Sequence, residues 1–224
     1  MKKVFFSLVI GSSIAFLSSC GGETKQEEKQ DNHEQHDNHK EEKKAQCSYT
    51  IDSESLKLNW TAFKHTAKAP VGGVFDLVEL GGVVEAETKI GALKNATISI
   101  YTNSVNSSNE GRDVKIKDSF FGTMQKTAIL TGAIKEITGE ESGKATIEIT
   151  MNAVKKDLIF DFEINAENII TFKTEFSVND FNAQTSLDAL HEVCSEKHTG
   201  EDGKSILWPD VLVKISAKII EDCK

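Results

Sequence analysis

The chain's four cysteines and six histidines are the side chains best suited to chemistry beyond packing. His33, His36 and His39 recur three apart among Asp31, Glu34 and Asp37. Imidazoles and carboxylates together suit Zn²⁺, Cu²⁺ or Ni²⁺, and a flexible tract of them would wrap an ion weakly. The same composition describes a solvated polar linker, which is the reading carried forward. His191, Cys194 and His198 would share one face of a continuous helix, with Asp188 or Asp202 nearby, an N/S set that structural zinc accepts. Cys194 also falls in an apolar stripe, where a free cysteine acts as a small hydrophobe, so no metal site is assigned. The sequence has no Cys-x-x-Cys pair, no Gly-x-Ser-x-Gly elbow, no His-Glu-x-x-His and no phosphate-cradling glycine loop. Its carboxylates lie on the polar faces of predicted strands, and no enzyme activity is expected.

Cys20 stands apart. It closes the run Leu17-Ser18-Ser19-Cys20, behind Lys2, Lys3 and an apolar stretch over residues 4–17. A basic start, a short apolar middle and a small-residue cleavage point describe a secretory signal. The stretch is shorter than the roughly 20 residues a spanning helix needs. Signals that end on a cysteine here resemble those of bacterial lipoproteins. The resemblance implies cleavage before Cys20, acylation of its thiol and new amine, and a mature protein anchored outside the cytoplasm. Residues 1–19 are then the signal peptide. Residues 20–46 are the lipidated cysteine and a tether rich in Glu, Lys, Gln, Asp, Asn and His, whose composition predicts disorder.

Residues 47–224 are long enough for one domain with its own core. They carry 27 acidic and 19 basic side chains, and Arg112 is the sole arginine. Without clustered cations, nucleic acid is excluded as a partner.

Two-residue alternation dominates this domain. Leu56, Leu58, Trp60 and Ala62 alternate with polar residues, and so do Ala96, Ile98 and Ile100. The same holds for Ala145 to Met151, Leu158 to Ile164, Ile170 to Val178 and Val211 to Ile219. Each stripe predicts a strand with one buried face. Turn residues separate the runs, and short strands at this spacing predict an antiparallel sandwich or closed barrel. Two segments break the pattern. Residues 110–124 predict a helical turn or lid with an aromatic tip. Residues 182–197 predict a helix with Ala183, Leu187, Leu190 and Cys194 on one face, and Asp180 or Asn182 as N-cap.

Several motifs occur in order: Tyr49-Thr50-Ile51-Asp52, Leu58-Asn59-Trp60-Thr61-Ala62-Phe63-Lys64, Gly73-Val74-Phe75, and Arg112-Asp113 leading to Asp118-Ser119-Phe120-Phe121. In this order they resemble the YceI-like family of periplasmic lipid- and polyisoprenoid-binding proteins. The resemblance implies an all-β fold: a lipocalin-like antiparallel barrel of about eight strands, with one or two short helices and no enzyme activity. It implies a long apolar ligand (a polyisoprenoid, an isoprenoid quinone or a fatty acyl chain) held for storage or transport, with no other cofactor. Trp60, Phe75, Phe120, Phe121, Phe160, Phe162, Phe172, Phe176 and Trp208 are then candidate cavity walls, with Phe120 and Phe121 at the entrance. In a closed barrel the first and last strands are antiparallel neighbours, which pairs Cys47 with Cys223 and leaves Cys194 free and buried. The expected location is the bacterial cell envelope, at the outer membrane on its periplasmic side or surface. Two alternatives stand beside this reading: a ligand-free interaction or stress module with a solid core, and a weak periplasmic metal binder using the tether histidines.

Overall fold

In the computed structural model, which describes residues 46–224, the alternating stripes become strands of one antiparallel sheet. The strands are β1 (Cys47–Lys64), β2 (Ala69–Phe75), β3 (Val78–Gly81), β4 (Thr97–Tyr101), β5 (Val105–Asn106), β6 (Ile129–Gly139), β7 (Ser142–Met151), β8 (Val154–Ile164), β9 (Ile169–Ser177) and β10 (Leu207–Cys223). The signal segment, Cys20 and the tether with His33, His36 and His39 lie outside the described residues.

The pairing order is β3-β4-β6-β7-β8-β9-β10-β1-β2-β5. Its two ends belong to the same pair of ribbons. Only Asp76 and Leu77 separate β2 from β3, and only the 3₁₀ turn Thr102–Ser104 separates β4 from β5. β3 pairs with β4, and β2 pairs with β5. Between those ladders Asp76 N donates to Ser104 O at 3.0 Å and Tyr101 N donates to Leu77 O at 3.2 Å. The bent strand β2–β3 therefore lies beside the bent strand β4–β5 along its length. The sheet closes as eight strands, although its β8–β9 ladder joins only residues 161–164 to residues 170–173.

Inward side chains fill the barrel in two layers. At the end that carries Cys47 and Cys223, Ile51, Ala145, Ile147, Phe162, Ile170, Phe172, Ala217 and Ile219 form a solid core. Ala92 and Leu93, from the 3₁₀ turn Gly91–Leu93, close it from below. Cys47 and Cys223 are paired across β1 and β10 and joined by a disulfide. The second layer holds Leu58, Ile98, Ile100, Leu130, Met151, Val178 and Phe181.

Helical segments cover that second layer. Residues 110–124 form three pieces: α1 (Glu110–Lys115), a π turn (Ile116–Phe120) and a 3₁₀ turn (Phe121–Thr123). Asn109 caps α1, its side chain accepting from Arg112 N at 2.9 Å. The second helical region differs from the continuous helix its periodicity predicts. It comprises α2 (Gln184–Val193) and α3 (Ser195–His198), broken at Cys194, whose φ of −124° is not helical. Neither Asp180 nor Asn182 caps it: the N-cap is Ala183, without a side-chain hydrogen bond. Asn182 instead adopts a left-handed φ of 56° to end the 3₁₀ turn Val178–Phe181. The apolar face is as expected, with Ala183, Leu187 and Cys194 buried.

Candidate functional site

Between the solid core and the helical cover lies a cavity of about 160 Å³. Most strands contribute through their inward stripes, among them Leu58, Trp60 and Ala62 from β1, Ile98 and Ile100 from β4, Ile149 and Met151 from β7, and Val211, Val213 and Ile215 from β10. Phe160 is its floor, belonging also to the solid core. Ile116, Phe120 and Phe121 from the turns after α1, and Leu187 and Leu190 from α2, complete it.

Every lining side chain is hydrocarbon, thioether or aromatic. The only polar atoms among them are two indole nitrogens, and both are engaged. Trp60 Nε1 donates to Val74 O at 3.3 Å, and Trp208 Nε1 donates to His65 O at 2.7 Å. The cavity therefore offers dispersion and freedom from water but no partner for a polar group.

Of the nine candidate aromatics, Trp60, Phe75, Phe120, Phe121, Phe160, Phe176 and Trp208 line this space. Phe162 and Phe172 do not. They are cross-strand neighbours with ring centroids 5.7 Å apart, packed in the solid core. The reason is position along the strand. Phe162 shares Phe160's face but lies one inward step nearer the disulfide end, below the floor. Of the aliphatic walls, Ile98, Ile100 and Met151 lie in alternating stripes of the sequence. Leu130 lies in a strand with no clean stripe.

Two strands leave a seam beside the cavity. The β8–β9 ladder ends at Asp161 and Lys173. Beyond it Thr174, at an inward stripe position, donates its hydroxyl to Ile159 O at 2.8 Å. The 3₁₀ turn Val178–Phe181 packs there, with Phe181 fully buried against Phe176 at 5.5 Å. Asn152 holds the turn, its amide donating to Phe181 O and Asn182 O.

A family model, the YceI-like domain, matches residues 49–217. The chain belongs to the YceI-like family. No curated protein sequence matches it. Among solved structures, a polyisoprenoid-binding domain from Saccharophagus degradans implicated in plant cell wall breakdown aligns at 16% identity with a TM-score of 0.55, over 79% of this chain and 98% of that one. BcnA of Burkholderia cenocepacia aligns at 14% identity with a TM-score of 0.53, over 76% and 99%. At these identities the likeness shows the fold.

Polar links tie the helical cover of this YceI-like barrel to itself and to the rest of the domain, where Lys197 O accepts from Lys64 Nζ and Asp113 Oδ1 accepts from Ser107 N. Thr123 Oγ1 donates to Ser186 Oγ at 2.9 Å, and Lys115 Nζ donates to Val193 O at 3.0 Å. Thr127 Oγ1 donates to Phe121 O at 2.9 Å. Phe120 and Phe121 meet edge to face at 5.1 Å.

His191, Cys194 and His198 do not form a three-ligand set, because the break at Cys194 ends the common face. The imidazoles of His191 and His198 stack, with their Nδ1 atoms 3.0 Å apart. Cys194 is free and buried. Among the described residues, the one group of three potential metal-binding side chains is Cys47, Glu221 and Cys223. Two of those sulfurs are already bonded to each other. His198 has its pKa lowered to about 4, mainly by burial and then by the positive fields of His191, Lys64, His65 and Lys115.

Proposed function

We propose that this protein is a lipid-anchored, extracytoplasmic carrier that takes a long apolar chain into its barrel for storage or transport. The observation that carries this reading is the cavity wall, apolar throughout, with both indole N–H groups committed to backbone carbonyls. Such a wall stabilises hydrocarbon by removing it from water, at roughly 0.8 kcal/mol per CH₂. The candidate cargo is a polyisoprenoid, an isoprenoid quinone or a fatty acyl chain.

The empty cavity is smaller than the roughly 300–1,000 Å³ typical of ligand sites. A long chain therefore enters only if the walls yield. The solid core cannot yield without losing packing. The helical cover, which lies outside the strand ladders, is the part that moves in this account.

The sequence around Cys20 supports the anchor. Acylation there would hold the barrel beside a membrane that supplies or receives its cargo, in the bacterial cell envelope. Metabolic labelling with radioactive palmitate tests it: the wild-type chain is labelled and fractionates with membranes, and Cys20→Ala is unlabelled. Label retained by Cys20→Ala would refute the anchor. Uptake of a fluorescent fatty acid by the full chain tests the barrel, with saturable one-to-one binding expected.

A further inference from the structure

The cavity wall offers nothing to the polar end of a lipid, so that end must be met elsewhere, if the carrier reading holds. Along β1, Leu58, Trp60 and Ala62 face the cavity, and the next inward position is Lys64. The β1–β2 ladder is regular from Trp60 through Lys64, and on the other side a shift in the β1–β10 register sets Lys64 opposite the lining residue Leu207. Lys64 Nζ donates to Lys197 O at 2.8 Å. Lys115 directly precedes the lining residue Ile116, and its Nζ donates to Val193 O at 3.0 Å. His191 directly follows the lining residue Leu190 and stacks on His198. Two separate elements thus bring ammonium groups beside lining residues at one end of the cavity, while both ring nitrogens of His191 are engaged, by His198 Nδ1 and Ser205 Oγ.

No carboxylate answers them. Neither Lys64 nor Lys115 joins any ion pair among the described residues. Each ammonium carries three donors and spends one on a neutral carbonyl, which leaves donors for a further acceptor.

We propose that Lys64 and Lys115 form a rim site for the anionic head, a carboxylate or phosphate, of the lipid whose chain fills the cavity. The pKa of His198 is lowered mainly by burial and then by nearby positive charge, to which Lys64 and Lys115 contribute, so both lysines lie close to it. An anion at the rim relieves that field and accepts charge-assisted hydrogen bonds, which are stronger than neutral ones.

The test compares hexadecanoate with hexadecanol, one chain with and without charge, binding to the delipidated full-length protein near neutral pH. Wild-type protein is expected to prefer hexadecanoate by about tenfold, as one charge-assisted hydrogen bond would give. The ratio falls to near one in the Lys64→Met/Lys115→Met variant, whose binding of hexadecanol shows that it is folded. Equal affinities in the wild type, or a preference that survives the double substitution, overturn the rim site and leave the carrier reading standing. Failure of the wild type to bind either chain overturns the carrier reading itself. Inorganic phosphate alone separates the sources of the anion. Absence of binding assigns the site to a chain-borne head, and tight lysine-dependent binding of phosphate alone would overturn the lipid assignment.

Discussion

Trp60 and Gly73 face each other across the β1–β2 ladder, and a Cβ on Gly73 would lie 2.6 Å from the Trp60 ring. The indole lies over the glycine because no side chain stands there. The same Cβ would also meet Asn106 O at 2.5 Å, so the backbone of β5 blocks the other escape. Gly73→Ala must therefore displace Trp60 from the cavity wall. Overpacking of this kind costs about 1–3 kcal/mol. The expected result is a lower Tm, altered tryptophan fluorescence and weaker uptake of a fluorescent fatty acid. An alanine variant with unchanged emission and uptake would show that the wall does not depend on this pair.

The disulfide closes the barrel's first strand onto its last, spanning 176 residues of sequence. Cys47→Ser/Cys223→Ser is expected to lose about 2–5 kcal/mol of stability. Lipid affinity should hold in the folded population, because the bond lies beyond the solid core. Equal unfolding midpoints in denaturant for both proteins would contradict this.

Phe120 and Phe121 belong to the cover and to the cavity wall at once. Phe121 is 9% exposed, so its truncation to alanine costs about 3 kcal/mol or more, and the half-buried Phe120 less. The double alanine variant is expected to take up and release a fluorescent fatty acid faster than wild type in stopped-flow experiments. Unchanged rates would remove these rings from any gating role.

His198 gives the stability a definite pH dependence. Its pKa is about 4 in the folded chain against an ordinary 6.5. Between those values the unfolded chain binds more protons, so stability falls as pH drops through that window and this contribution is exhausted below it. His191, Lys64, His65 and Lys115 maintain the shift after burial. In His198→Gln the loss of Tm between pH 7 and pH 4 should be smaller than in wild type. Parallel Tm curves would contradict the assignment.

The alternating stripes made the antiparallel class and six of the strands legible, since burial of one face leaves a period of two. β6 was not legible, for a physical reason. Its inward run is Leu130, Gly132 and Ile134, and a bulge then shifts the register before Glu136. Gly132 is small because a Cβ there would meet Ile98 Cγ2 at 2.8 Å, so the stripe is broken by close packing. The short β3 and β5 carry too few residues to show a period. The helical break at Cys194 was invisible because its apolar spacing matches a continuous helix. Aromatic residues could be assigned to the inner face from sequence, but not to a height in the barrel, which is why Phe162 and Phe172 were grouped with the cavity. The rim lysines carry no signal of their own. Lys64 becomes informative only once Ala62 and Trp60 are known to face a cavity.

The measurement that bears most directly on the carrier reading is mass spectrometry of an organic extract from the purified full chain. The account predicts one defined polyisoprenoid, quinone or acyl species, near one per protein, released from the barrel. A protein that yields none, and that takes up neither added quinone nor hexadecanoate, would contradict it and leave a barrel whose cavity serves packing alone.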